Sequence, residues 1–214
     1  MVAAPITIAL NKGRIVDDCM PILRAAGMAP MQQFSDSRQL IFDSLMPGVR
    51  FVVVRSADVP VYVERGAADI GVTGKDTLLE HPGAGYYEWL DLNICRARLM
   101  TAGPEGAAEP AGRLRIATKY PHSTRRFYAA RARQVDVIHL HGAMELAPLL
   151  GLADVIVDIV ETGNTLRANG LAPYELIADI SSRVIVNRAS MKLRPERLQS
   201  ILAALAAAAP ARAA

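Results

Sequence analysis

The chain has 214 residues, 51% of them hydrophobic, with 24 Lys and Arg against 21 Asp and Glu for a net charge of +3. That length holds one large domain or two small ones sharing a hinge, and the apolar share is ample for packed cores. The cations are scattered among acids with no long basic block, which argues against a nucleic-acid groove and suits a small anionic substrate, and no apolar run reaches the length of a membrane span.

The opening stretch, MVAAPITIALNKGR, meets Asn11 and Lys12 too early to form the apolar region of an export signal. Alternating patterns then predict a strand over Thr7–Leu10, a helix over Arg14–Ala26, a strand over Arg50–Val54 and a helix over Val59–Arg65. A strand at Ile70–Thr73 and a helix at Lys75–Leu79 follow. Residues Thr101–Gly112, TAGPEGAAEPAG, read as loop, at a place where a second unit begins. Beyond it come a strand at Arg115–Thr118, a helix at Ser123–Arg133, a strand at Val135–Leu140, a helix at Met144–Leu150 and strands at Val155–Val160 and Arg183–Asn187. The Ala-rich residues 203–214 read as a fraying helix end and tail. Aliphatic filling and this alternation point to an α/β fold of mostly parallel strands flanked by helices.

Cys19 and Cys95 are far apart and in no metal-ligand spacing, which reads as a reduced, cytoplasmic chain. His139 and His141 alternate on one side of a strand, but no carboxylate or Cys stands near them, so they are not read as a zinc site.

One stretch echoes another. Gly66-Ala67-Ala68-Asp69-Ile70-Gly71-Val72 is answered by Gly151-Leu152-Ala153-Asp154-Val155-Ile156-Val157, and each leads to a Thr-Gly loop, Thr73-Gly74-Lys75-Asp76 and Thr162-Gly163-Asn164-Thr165. Two readings stand. Ala-Asp-apolar turns are common in α/β proteins and recur by chance, or the chain holds two similar lobes whose strand ends carry the site. In the second loop Gly163 permits a positive φ and a close backbone approach, Thr162 and Thr165 offer hydroxyls, and Leu166–Asn169 would present free N–H groups. That is either a monophosphate cradle or an ordinary strand-to-helix turn capped by Thr. Asp158 and Glu161 stand just before it, placed to accept hydrogen bonds from ribose hydroxyls and to stabilise charge at an anomeric carbon.

The run Ala153–Leu171, ADVIVDIVETGNTLRANGL, resembles the phosphoribosyl-pyrophosphate signature of ATP phosphoribosyltransferases, the first enzymes of histidine biosynthesis. Ile8–Arg14, Ser37–Ile41, Arg55–Pro60, Ala68–Asp76, Ala117–Pro121 and Met144–Leu149 match further family motifs in order, over residues 6 to 192. One departure is Ala143, where the family usually carries a Ser. The chain is similar to the short form, which lacks a C-terminal regulatory domain and works with a separate subunit resembling histidyl-tRNA synthetase.

The resemblance implies two lobes like those of type II periplasmic binding proteins with the active site in the interlobe cleft. Residues 1–92 with 182–209 would form one lobe, 93–181 the second with the phosphoribosyl-pyrophosphate loop, and 210–214 a tail. The implied reaction joins N1 of the adenine of ATP to C1 of phosphoribosyl pyrophosphate, with Mg²⁺ held mainly through substrate phosphates and by no dedicated protein ligands. Arg14 and Arg38 are the implied catalytic cations; the bland alternative for each is a surface ion pair. The implied binding residues are Lys12, Gly13, Arg55, Asp58, Thr73, Gly74, Lys75, Asp76, Asp154, Asp158, Glu161, Thr162, Gly163, Asn164 and Thr165. Asp154 has a second reading as a turn residue like its echo Asp69. The implied assembly is a homodimer that joins the synthetase-like subunit in a hetero-octamer, with neither nucleic acid nor membrane as partner. Rival readings are a two-lobed solute receptor, which the phosphate loop argues against, a transferase acting on another base, and a regulatory subunit without activity.

Overall fold

The computed structural model describes residues 4–34, 38–107 and 112–210. Ser37 of the quoted motifs, positions 108–111 of the expected loop and positions 211–214 of the expected tail lie outside them. Contacts group the residues up to Cys95 with those from Ser181 into one unit, and Arg96–Ile180 into a second.

In the first unit β1 (Ile6–Asn11) leads to α1 (Arg14–Ala25), β2 (Ile41–Asp43) and β3 (Val49–Val54). A 3₁₀ turn at Ser56–Asp58 opens α2 (Val59–Glu64), and β4 (Ile70–Gly74), α3 (Lys75–Glu80) and β5 (Tyr86–Asp91) follow. The sheet order is β2-β3-β1-β4-β11-β5, with β11 (Ser182–Asn187) returned from the far end of the chain. β1 is parallel to β3 and β4, whereas β2, β11 and β5 join antiparallel. Side chains alternate across the sheet. Ile6, Ile8, Leu10, Phe51, Val53, Ile70 and Val72 pack on α1 and on α8 (Pro195–Ala208), while Ala9 and Ile185 lie under Val59, Val63 and Leu78 of α2 and α3. Both faces are covered, so β1 is buried along its whole length, as a central strand must be.

The second unit runs β6 (Ala97–Pro104), β7 (Leu114–Thr118), α4 (Pro121–Ala129), β8 (Val135–His139), α5 (Leu146–Leu149), β9 (Val155–Val160), α6 (Asn164–Ala168) and β10 (Leu171–Ile180). Its order is β10-β6-β9-β7-β8; β7 is parallel to β8 and β9, and β6 and β10 are antiparallel additions. The expectation of parallel strands thus holds for β3-β1-β4 in the first sheet and for β9-β7-β8 in the second, and the sheets as wholes are mixed.

Several elements depart from the sequence reading. Thr101–Pro104, expected as loop, completes β6, because Met100, Thr101 and Ala102 find partners on β9. β10 escaped notice because Pro173 sits inside it; β10 is an edge strand with an irregular register there, where a missing N–H is tolerated. Residues 203–208, expected as a fraying helix end, are regular helix. They end α8, which starts on Pro195 and buries Leu198, Ile201, Leu202 and Leu205 at helical spacing. α7 (Arg188–Leu193) precedes it, capped by the Asn187 side chain accepting from Ser190 N at 2.7 Å. Among the described residues no helix is long and apolar enough to cross a membrane. Cys19 and Cys95 are both free thiols; burial first and the neighbouring Cys95 second push the Cys19 thiol up to about 12.

Candidate active site

Parallel strands end on a common side, and the residues that follow them are collected there by register alone. In the first unit Asn11 of β1 pairs with Val54 of β3, and Leu10 pairs with Val72 of β4. Lys12, Gly13 and Arg14 therefore leave the sheet beside Arg55, the turn ending at Asp58, and Thr73-Gly74-Lys75-Asp76. Lys12, Arg14, Arg55 and Asp58 are exposed, Thr73 and Gly74 are buried, and Lys75 and Asp76 are half-buried. Arg38 is exposed on the segment entering β2.

Gly13 has φ 98° and ψ −157°, a conformation open only to glycine, and its carbonyl accepts from Val16 N and Asp17 N at 2.9 and 3.3 Å to start α1. Arg14 is hydrogen-bonded to Cys95, whose thiol also donates to Asp18 Oδ2 at 3.1 Å. Lys75 is held by Glu88 at 2.6 Å, and Ser56 meets Thr77 through their hydroxyls at 3.0 Å, tying the 3₁₀ turn to α3. A cavity of about 650 Å³ opens against Lys12 and Gly13, walled by Met20, Met31 and Phe34, within the size range of small-molecule sites.

In the second unit the same side carries the ends of β7 and β9. Thr118 Oγ1 donates to Val157 O at 2.7 Å and accepts from Tyr120 N at 2.8 Å, so the chain leaves β7 along one path into α4. Asp158 is half-buried near the end of β9, with Oδ1 accepting from Ile159 N at 2.8 Å. Glu161 and Thr162 are exposed, Gly163 lies in the left-handed region at φ 75°, and Asn164 and Thr165 open α6. Arg167 was not foreseen, although its spacing from Asn164 is that of helix neighbours. Its guanidinium donates to Thr162 O at 3.2 Å and to Asn164 Oδ1, so a positive charge braces the loop. A Cβ on Gly163 would sit 3.1 Å from Arg167 Nη1.

Asp154 is not brought to this loop. It precedes β9, and six residues of strand, about 20 Å, separate it from Glu161. Its carboxylate takes Arg115 Nη2 at 2.6 Å, Nε at 3.2 Å and the Arg115 backbone N at 2.9 Å. The hydrogen bonds from Arg115 hold that carboxyl below the usual carboxylate range. This corrects its implied place among the ribose acids and favours the turn reading. Asp69 stands likewise before β4, with its carboxylate on Thr7 N at 2.9 Å and on Ser190 Oγ at 2.6 Å.

No three His, Cys, Asp or Glu side chains gather as a metal site among the described residues. The His139 and His141 rings lie 4.7 Å apart, without a third ligand there.

Known proteins share this sequence and this fold. A family model described as ATP phosphoribosyltransferase matches residues 55–207. ATP phosphoribosyltransferases of Pseudomonas paraeruginosa and Pseudomonas aeruginosa are each 59% identical over 207 residues, which is 97% of this chain and 98% of theirs. Among solved structures, the ATP phosphoribosyl transferase (HisG:HisZ) complex from Thermotoga maritima superposes with a TM-score of 0.84 at 34% identity, covering 95% of this chain and 98% of that one. The periplasmic aliphatic sulphonate binding protein SsuA of Escherichia coli shares the fold at a TM-score of 0.56 and 14% identity, covering 95% of this chain and 68% of that one.

Proposed function

This chain belongs to the ATP phosphoribosyltransferase family and performs the first step of histidine biosynthesis, joining N1 of the adenine of ATP to C1 of 5-phosphoribosyl 1-pyrophosphate, and we propose how its residues divide that work. The 161–165 loop takes the sugar 5′-phosphate on backbone N–H groups exposed by the Gly163 turn, with Arg167 supplying charge. Asp158 and Glu161 accept from the ribose hydroxyls and stabilise the cation that develops at C1. Arg14 and Arg38 neutralise the departing pyrophosphate, Lys12 and Arg55 assist with phosphates, and Gly13, Asp58 and Thr73–Asp76 border the nucleotide. Asp154 takes no part, since Arg115 holds it at the other end of the strand.

The N1 lone pair forms the N1–C1 bond while the C1–O bond breaks, and that bonding pair leaves with the pyrophosphate. N1 carries no proton, so no general base is required, and positioning carries much of the work. Enzymes that use ATP take a divalent cation. We assign it as Mg²⁺, bound through phosphate oxygens and waters, where it would offset charge on the leaving group. The reaction is placed in the cytoplasm, where ATP is made available.

The observation that carries this reading is the left-handed Gly163 turn, braced by Arg167 and set directly after the strand bearing Asp158. Mixing the purified chain with ATP, phosphoribosyl pyrophosphate and Mg²⁺ should produce the ultraviolet absorbance change of N1-alkylated adenine. An unchanged spectrum with both substrates bound contradicts it.

The Thermotoga maritima likeness is to a two-protein complex. On that ground we also propose that this chain forms a homodimer that assembles with a subunit resembling histidyl-tRNA synthetase into a hetero-octamer. Histidine should then inhibit the isolated chain weakly and the mixture strongly; equal inhibition of both counts against the assembly.

A further inference from the structure

Three neighbouring strands of the first sheet each place, at one edge, a side chain with one buried polar atom that finds no partner. Asn11 of β1 is 7% exposed and Thr73 of β4 is 0% exposed. Continuing the register from Leu10 opposite Val72 sets Asn11 beside Thr73, and Thr73 is paired with Arg183 of β11. All three stand at odd positions of this face, the side covered by α2 and α3. Asn11 Oδ1, Thr73 Oγ1 and Arg183 Nε are each buried without a hydrogen-bond partner among the described residues. The Asn11 amide is oriented by its Nδ2 donating to Lys12 O at 3.2 Å, which leaves Oδ1 as the open acceptor. Arg183 spends its other nitrogens on Glu88 at 3.4 Å and Asp91 at 3.1 Å, leaving the Nε–H as an open donor.

Orphaned groups this deep are costly, by about 1–3 kcal/mol each, and three in register at a carboxyl edge call for a ligand. Asn11 Oδ1 can only accept, the Thr73 hydroxyl can accept or donate, and the Arg183 Nε–H can only donate, so the row can offer two acceptors followed by one donor. The acceptors sit on strands about 4.8 Å apart. A primary amine directing two N–H bonds of about 2.9 Å at 120° spans about 5.0 Å between its acceptors, close to that spacing. Adenine presents such an amine at N6, with the acceptor N7 beside it. Its other edge cannot be the one read, because N1 must stay uncovered to attack.

Resting on the function proposed above, we infer that Asn11 and Thr73 receive the adenine 6-amino group and that Arg183 donates to N7, so that the base is recognised along its N6–N7 edge with N1 left free. The same row selects against guanine, whose O6 would face the Asn11 acceptor unpaired.

The test is calorimetric binding of three triphosphates to the full chain: ATP, purine riboside triphosphate, which lacks the 6-amino group, and 7-deaza-ATP, which lacks N7. Binding is the readout because it does not depend on how nucleophilic each N1 is. Wild type should hold ATP about tenfold more tightly than either analogue. Thr73→Val and Asn11→Leu should abolish the preference over purine riboside triphosphate and keep that over 7-deaza-ATP. Arg183→Lys should do the reverse, and Thr73→Ser should behave as wild type. A merely structural role weakens all three nucleotides by one factor, and that result overturns the assignment. So does a wild-type chain that binds both analogues as tightly as ATP, which needs no variant to fold. Absence of ATP turnover in an otherwise binding-competent chain would instead indict the proposed reaction.

Discussion

At their amino ends the two units are built alike. Asp69 before β4 exchanges two bonds with Thr7 of the parallel neighbour β1, its N–H giving to Thr7 O at 2.8 Å and its carboxylate taking Thr7 N at 2.9 Å. Asp154 before β9 does the same with Arg115 of β7, both bonds at 2.9 Å. The glycines three residues earlier, Gly66 and Gly151, are both left-handed, at φ 75° and 70°. At their carboxyl ends the units differ. Gly74 is extended at φ −70° and passes straight into α3, whereas Gly163 turns left-handed and lets Arg167 fold back over the loop. The echo in the sequence is therefore structural where it closes the sheet and superficial where ligands are met. Repeated architecture at one end leaves the other free to diverge, since only the first is needed to hold parallel strands in register.

The contrast yields tests of decreasing size. Arg14→Ala and Arg38→Ala should lower kcat by about 10³-fold, about 4 kcal/mol, with much smaller changes in ATP binding. Single-turnover rates equal to wild type would remove both from the leaving group. Asp69→Ala should cost on the order of 3 kcal/mol of stability, because it strands Arg194, the Ser190 hydroxyl and Thr7 N at a buried site. Asp154→Ala, whose carboxylate is 19% exposed against 5% for Asp69, should cost less in the same urea titration. Equal losses would mean that burial does not distinguish the two brackets.

Gly163→Val should weaken phosphoribosyl-pyrophosphate binding on the order of 100-fold, about 2.7 kcal/mol, since a β-branched residue resists positive φ and its Cβ would crowd Arg167. Gly74→Ala meets no such φ, and its Cβ would meet the end of the Asp76 side chain rather than backbone, so its effect should be under tenfold. A calorimetric titration of both variants separates the turns. Finally, Asp154 titrates below the ordinary carboxylate value, so its pairing with Arg115 stabilises the folded chain above about pH 4 and is lost as pH falls through the lower folded value. Thermal melts of Asp154→Asn should accordingly lose less stability than wild type between neutral and strongly acid pH; identical slopes would contradict the pairing.

Much of this was legible beforehand. β1, β3, β4, β7 and β9 announce themselves as β-branched runs bounded by turn residues, and the loops after them carry the family motifs. The edge strands were harder. β5 has no fully buried residue, with Trp89 and Tyr87 exposed, and β10 contains Pro173, so neither shows a strong period of two. Arg167 and Arg183 were overlooked because an isolated Arg looks the same whether it faces solvent, an ion pair or a ligand.

Sequence alone determined the central strands, the glycine turns and the membership of the chain in its family, because these depend on local conformational preference and on motifs a few residues long. It did not decide which acid works and which merely holds. Asp154 and Asp158 lie four positions apart, yet one answers an Arg 39 residues away and the other remains beside the loop. Nor did it align Asn11, Thr73 and Arg183, which become neighbours only when three strands pair. A side chain's chemistry is set by what surrounds it, and those surroundings come from distant parts of the chain.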